Sequence, residues 1–294
     1  MKEITRRKRG IIIFLIILAA IIVAVFVLGL IFVDDRNVDY ENFSVKSDNV
    51  AGESVTGLKI AHLSDLHFPK IRVDIGEMLE RLKSEKVDFI AITGDIVDRT
   101  ADVNTCGVSG FAEKLVHIAP VYYVGGNHEK ENAQSALIYN ILRESGIAVL
   151  ENESVSVSFG SKRITIMGLK DNTDYSARYF DKNTESKDNY KVLLSHRPEK
   201  WNTYIAQNSI VPQLVLSGHA HGGQVRVFGQ GLVAPAQGIF PKYDAGLYTH
   251  TGSYSSEAAG EQYTQTVNMV VSRGIGGVPL RFNNKPNVPI ITVE

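Results

Sequence analysis

Between Ile11 and Val33 the chain carries no charged side chain, and nearly every position is Ile, Leu, Val, Phe or Ala. About 20 apolar residues cross the hydrocarbon core of a bilayer as a helix. A core helix of a soluble fold would keep a polar stripe, and this run has none. Lys2, Arg6, Arg7, Lys8 and Arg9 precede it against the single acid Glu3, and Asp34 and Asp35 follow at once. The positive-inside bias therefore predicts a cytoplasmic segment at 1–10, a transmembrane helix at 11–33 and an extracytoplasmic remainder in the cell membrane. A cleaved secretory signal is the competing reading, but its apolar part usually runs only about 7–15 residues.

The remainder is enough for one enzyme-sized domain: the chain has 294 residues, 44% of them hydrophobic. Cys106 is the only cysteine, so neither an intramolecular disulfide nor a thiolate metal cage can form. The formal net charge is −1, and with the N-terminal basic cluster set aside the body is acidic on balance. A nuclease would need a basic stripe along the phosphate backbone, so nucleic acid is not the expected partner.

Residues 34–56 are polar and lack sustained periodicity, which predicts a tether. A coil of that length reaches roughly 25 Å. The body is expected over 57–294. Leu58–Leu63 reads as a buried strand, Val73–Lys86 as a helix, Val87–Thr93 as a strand, Phe111–Ile118 as a helix end and Val121–Val124 as a third strand. Glu131–Ser145 has helical spacing, and Ile147–Leu150 reads as a short strand. Ser154–Phe159 and Arg163–Leu169 flank Gly-Ser-Lys as a hairpin would. Further strands are expected at Lys191–Ser195, Gln213–Ser217, Gln224–Phe228, Thr266–Ser272 and Val288–Val293, with Ser253–Gln262 as an exposed loop. The predicted fold class is α/β, two packed mixed sheets flanked by helices and preceded by one transmembrane helix.

Five clusters place Asp, Asn or His directly after apolar runs: Asp65-Leu66-His67, Gly94-Asp95-Ile96-Val97-Asp98, Gly126-Asn127-His128-Glu129, Ser195-His196 and Gly218-His219-Ala220-His221. Ligands of open α/β sheets bind outside strand ends. Residues two apart on an extended segment point the same way, so Asp-x-His and His-x-His can each grip one ion. Five of the eight histidines fall in these clusters, and loops built for solubility alone have no reason to collect them.

In this order the clusters resemble the calcineurin-like metallophosphoesterase superfamily, over essentially all of 57–294. Leu-Ser-Asp-Leu-His at 63–67, Leu-Ser-Gly-His-Ala-His-Gly-Gly-Gln at 216–224 and Ser-Arg-Gly-Ile-Gly at 272–276 resemble its bacterial membrane-associated branch. The resemblance implies a four-layer sandwich and two divalent ions of the Mn, Fe, Zn or Co kind. Asp65, His67 and His221 would hold the first, Asn127, His196 and His219 the second, and Asp95 would bridge them. A hydroxide between the ions would attack phosphorus in line. His128 would face the substrate, with Asp98 as its orienting partner or, alternatively, as a loop cap.

Other polar residues receive no role. His62 reads as a packing residue, His117 as a helix-end group, His250 as part of a polar loop and Glu129 as structural. Arg99 and Arg197 adjoin the clusters and could meet phosphate, as many solvated arginines near clefts could. The expected activity is phosphodiester or phosphomonoester hydrolysis at the outer membrane face, with a lipid or cell-envelope polymer as substrate. The alternative is a noncatalytic, metal-stabilised envelope-binding module.

Overall fold

Strands whose side chains are apolar on both faces must be covered on both, and this chain meets that demand with two sheets stacked on each other and helices outside. The computed structural model describes residues 2–31, 36–46, 55–180, 189–206, 210–255, 262–277 and 281–294. Helix α1 spans Lys2–Ile31. Its stretch Arg7–Val27 has a mean hydropathy of 3.5 and is not buried in the protein, a form shared by membrane spans and secretion signals. Strand β1 (Asp39–Val45) follows.

The first half alternates strand and helix: β2 (Lys59–Leu63), α2 (Ile75–Glu85), β3 (Phe89–Thr93), α3 (Val108–Leu115), β4 (Val121–Val124), α4 (Asn127–Glu131), α5 (Ser135–Glu144) and β5 (Ala148–Val149). The second half contains β6 (Glu153–Phe159), β7 (Lys162–Gly168), β8 (Tyr190–Leu194), α6 (Trp201–Ile205) and β9 (Leu214–Ser217). Four two-residue strands come next, β10 (Arg226–Val227), β11 (Gln230–Gly231), β12 (Val233–Ala234) and β13 (Gly238–Ile239), before β14 (Gly246–Ser255), β15 (Gln262–Val271) and β16 (Asn287–Val293).

One six-stranded sheet has the order β1-β16-β2-β3-β4-β5, the other β14-β15-β9-β8-β7-β6. Ile60, Phe89, Ala91 and Val124 of the first meet Ile164, Val192, Leu194 and Leu216 of the second in the central layer. The alternate residues Leu63, Ile90 and Ile92 face α2, α3 and α5, which contribute Leu82, Phe111 and Leu142. On the far side, Trp201 and Tyr204 of α6 cover Leu193, Val215 and Met269. The strand period of two thus sorts each strand's residues into two cores. Local signals set helix ends: Asp74 caps α2 by accepting the Glu77 N–H, and Lys86 closes it in a left-handed conformation.

Three sequence readings need correction. The stretch read as a tether contains β1, which pairs with β16 in parallel from Asp39 to Val45; its outward residues are polar because it is an edge strand, and that polarity hid it. The helix expected over Glu131–Ser145 is broken at 132–134. There the Asn132 side-chain carbonyl accepts the Gln134 N–H (2.8 Å) while its amide donates to the Asp98 and Ala101 carbonyls (3.0 and 3.1 Å). In the region read as a loop, Ser253–Ser255 belongs to β14, as does His250, and Gln262 begins β15; residues 256–261 lie outside the described residues.

Candidate metal centre

The loops after β2, β3 and β9 share one local construction. Each strand is followed by a small residue, Ser64, Gly94 or Gly218, and the next residue turns into left-handed backbone: Asp65 at φ 53°, Asp95 at 52° and His219 at 64°. His67 (φ 52°) and His221 (49°) repeat the turn two residues on. Asp, Asn and His tolerate this region better than most side chains, but each still costs about 1–2 kcal/mol. The ligand pairs converge through these turns and not through the extended alternation expected from the sequence. Close approach demands the glycine at 218, where a Cβ would lie 1.8 Å from Ser64 Oγ and 2.4 Å from Asp65 Oδ2.

The seven expected ligands meet in one buried place. Asp65 Oδ1 lies 3.9 Å from His67 Nε2 and 3.5 Å from His221 Nε2. Asp95 Oδ2 lies 3.8 Å from His67 Nε2 and 3.4 Å from His196 Nε2. His196 Nε2 is 3.2 Å from Asn127 Oδ1 and 3.0 Å from His219 Nδ1. Ligand bonds of about 2.0–2.2 Å to one tetrahedral ion put its donor atoms roughly 3.3–3.6 Å apart, so the spacing suits two ions sharing Asp95. Asp65-His67-His221 and Asp95-His196-His219 are each close enough to hold an ion.

Hydrogen bonds outside the cluster decide which atoms remain available. Asp65 Oδ2 accepts from the Ser64 hydroxyl (2.6 Å) and the His219 N–H (3.0 Å), leaving Oδ1 buried and without a partner. His67 Nε2 is likewise buried and unpartnered. Asp95 Oδ1 accepts the His128 N–H (2.8 Å), leaving Oδ2 for the space between the triads. The Thr93 carbonyl accepts from His196 Nδ1 (2.7 Å), which fixes the ring tautomer and frees Nε2. The atoms that face the cluster, carboxylate and imidazole together with the Asn127 amide oxygen that meets His196, form a mixed set that fits divalent first-row ions.

The electrostatics point the same way. Burial raises the Asp65 carboxyl to about 6. Burial also opposes charge on His196, but the Asp95 and Asp65 carboxylates overcome it and raise that imidazole to about 10. Two buried carboxylates thus draw a positive charge onto the nearest ring, the place a cation would fill. Burial holds His67 at about 4 and His219 at about 2, with His221 also well below its ordinary value. Neutral imidazoles are the ligand form.

His128 sits at the rim, with Nε2 3.9 Å from Asp95 Oδ2 and its ring 4.3 Å from that of His67. Asp98 Oδ2 is 3.5 Å from His128 Nδ1, but the hydrogen bond to that nitrogen comes from the Arg99 N–H (3.1 Å). The Asp98 carboxylate instead accepts from the Thr100 N–H and hydroxyl (3.0 and 2.7 Å) and pairs with Lys70 (2.9 Å). Burial opposes its ionisation, but those donors keep it well below the usual carboxylate range.

Around this cluster stand Glu129, expected as structural, His62, expected as a packing residue, and Arg99 and Arg197, offered to phosphate; their partners could not be named from the sequence. Glu129, fully buried, accepts the N–H groups of Asp95, Val97 and Gly126 at 2.8–2.9 Å and so clamps two ligand loops together. His62 Nε2 bonds Thr93 Oγ1 (2.7 Å), whose hydroxyl donates to Ser64 (2.9 Å), which donates to Asp65. Arg197 is held bidentately by Asp171 and reaches His219 Nε2 at 3.3 Å. The Arg99 guanidinium lies 2.7 Å from His128 Nε2. Apart from Ser64–Asp65 and Gly126–Glu129, the partners stand 22–34 residues apart, so these pairings carry no short-range sequence signal.

The family model for calcineurin-like phosphoesterases matches residues 58–223. Bacillus subtilis YpbG is 30% identical over 240 residues, covering 80% of each chain. Bacillus subtilis YkoQ, a metallophosphoesterase, is 31% identical over 171 residues, 56% of this chain and 62% of that one, so the match leaves over a third of that relative's length outside it. Escherichia coli YaeI, a phosphodiesterase, is 27% identical over 241 residues, 79% of this chain and 80% of that one. With all seven expected ligands inside the matched region and a relative at 30% identity over most of its length, the chain belongs to the calcineurin-like phosphoesterase family, whose members are metal-dependent hydrolases.

Proposed function

We propose that the protein is a two-metal hydrolase of phosphoesters, anchored through residues 11–33 with its body on the outer membrane face, and that its substrate is a lipid- or envelope-linked phosphoester. The observation that carries the reading is the placement of Asp95 Oδ2 between the unpartnered His67 Nε2, beside the equally unpartnered Asp65 Oδ1, and His196 Nε2, which meets Asn127 and His219. Ions of the Mn, Fe, Zn or Co kind bound there would polarise phosphoryl oxygens and lower the pKa of water. Asp65, His67 and His221 would hold one, Asn127, His196 and His219 the other.

The chain's own groups supply the rest. His128 faces two donors of Arg99, the backbone N–H at Nδ1 (3.1 Å) and the guanidinium at Nε2 (2.7 Å), so the ring proton belongs on Nε2 only once the guanidinium turns from the ring to an incoming phosphate. Burial keeps this imidazole below its ordinary pKa, so with the guanidinium on the phosphate a neutral ring would donate from Nε2 to a phosphoryl or leaving oxygen. Asp98 adds negative charge near Nδ1 and holds the 98–100 turn that presents the Arg99 N–H. The metal-facing side is otherwise closed, with Asp65, His67, Asp95 and His196 buried. The outer-face reading rests on the charge bias about the apolar helix. A body tied closely to that helix favours substrates held in or beside the membrane.

The test is turnover of bis-p-nitrophenyl phosphate and p-nitrophenyl phosphate by the purified full chain with Mn. Metal-dependent release of nitrophenol from either is the expected result. Metal binding without turnover of either would instead favour a noncatalytic binding module.

A further inference from the structure

The chain leaves the metal loop at Gly223 and immediately forms two small hairpins, β10–β11 and β12–β13, that are apolar toward solvent. Phe228 is fully exposed, Ile239 is 73% and Phe240 68% exposed, and Val227 and Val233 are also exposed. Scattered exposed apolar residues are ordinary, but here they gather on adjoining turns. Gln230 Nε2 donates to the Pro241 carbonyl (2.8 Å) and the Phe240 N–H to the Leu232 carbonyl (2.8 Å), so the hairpins hold one another in place. Phe228 (φ 51°) and Phe240 (55°) both occupy left-handed backbone, where glycine or asparagine would serve a turn without strain. The fold thus accepts strain and also keeps large apolar side chains in the open.

Three observations select the occupant. Phe26 of α1 stacks on Phe282 with ring centroids 5.9 Å apart, and Phe282 bridges Val225 at the base of the first hairpin. The outer end of the apolar helix and the hairpins therefore lie side by side. Only residues 32–38 separate α1 from β1, a span that cannot exceed about 25 Å even fully extended. From Gln224 to Tyr243 there is no carboxylate; the charged residues are Arg226, paired with the buried Asp244, and exposed Lys242.

From these we infer that the two hairpins are a bilayer-docking surface. Phe228, Ile239 and Phe240 enter the interfacial layer and Lys242 meets anionic headgroups. This rests on the reading of residues 11–33 as a membrane anchor and deepens it. Gly223 and the backbone at Gly231 pack so closely that a Cβ on Gly223 would lie 2.4 Å from Gly231 Cα. The docked hairpins therefore hold the His221 loop at the membrane surface, where the substrate is an amphiphilic phosphoester whose apolar chains stay in the bilayer.

The test uses the full chain in vesicles of phosphatidylethanolamine and phosphatidylglycerol. In a Cys106→Ala background, nitroxides are attached at Phe228→Cys and, as a control, at Lys114→Cys on exposed α3. Collisions with oxygen should dominate over those with a nickel chelate at 228 and not at 114; water-like behaviour at 228 would overturn the inference. So would spin–spin broadening at 228 that disappears, leaving a water-exposed label, on dilution into excess lipid, which would mean that a second copy covers the patch. In parallel, Phe228→Ser/Phe240→Ser should leave turnover of bis-p-nitrophenyl phosphate unchanged and lower turnover of hexadecyl p-nitrophenyl phosphate in the vesicles about tenfold or more. Equal loss on both substrates, or loss on neither, would overturn it. If the wild-type chain hydrolyses neither substrate while the label at 228 is membrane-buried, docking stands and the hydrolase reading falls.

Discussion

Proton and cation compete for His196 Nε2, and this competition gives the centre a pH dependence of definite sign. With Asp95 and Asp65 raising that imidazole to about 10, the empty site holds a proton there at neutral pH. Loading the second ion at pH 7 should release about one proton, and affinity should rise up to about tenfold per pH unit below that pKa. Calorimetry in buffers of differing ionisation heat checks the proton, and equal affinity at pH 6 and pH 8 would refute the assignment. Asn127→Ala and His219→Ala should each reduce metal content from two ions to one by elemental analysis. His128→Ala should keep both ions and slow substrates with poor leaving groups most, by about 10²–10⁴-fold; a uniform loss would exclude proton donation to the leaving oxygen.

At the scale of elements, Glu129 joins the loop after β3 to the start of α4 through three backbone N–H groups. Glu129→Ala leaves three buried donors unpaired, each costing about 1–3 kcal/mol, so a fall of several degrees or more in melting temperature is expected, with weakened metal binding. Glu129→Gln keeps part of the clamp and should fall between. The ligands themselves were legible in the sequence because each stands beside its own strand, as with Leu63-Ser64-Asp65. Glu129 could be read only as structural and Asp171 drew no reading, since Asp95 and Val97 in the one case and Arg197 in the other arrive from distant stretches. Two edge strands were the least legible elements: β1 and β14 bury one face at most, and a run with exposed Asn42 and Ser44 beside half-buried Tyr40 reads as linker.

Taken whole, the molecule is a layered body whose first sheet begins almost at the apolar helix. A chain shortened to start at Gly57 would lose β1 and uncover β16, removing buried Val45 along with a full row of hydrogen bonds. Val45 alone is worth about 2 kcal/mol, and a lower melting temperature than that of a chain starting at residue 36 is the expected result. Protease added to intact cells should degrade the body if it lies outside, and protection would reverse the topology. The strand order β1-β16-β2 has a consequence for biogenesis. The segment nearest the helix cannot pair with β2, its neighbour in sequence, because β16 occupies the place between them. While the chain is being made, β1 therefore waits, half apolar and unpaired, until β16 has been made, so the first sheet cannot close before every other described strand exists.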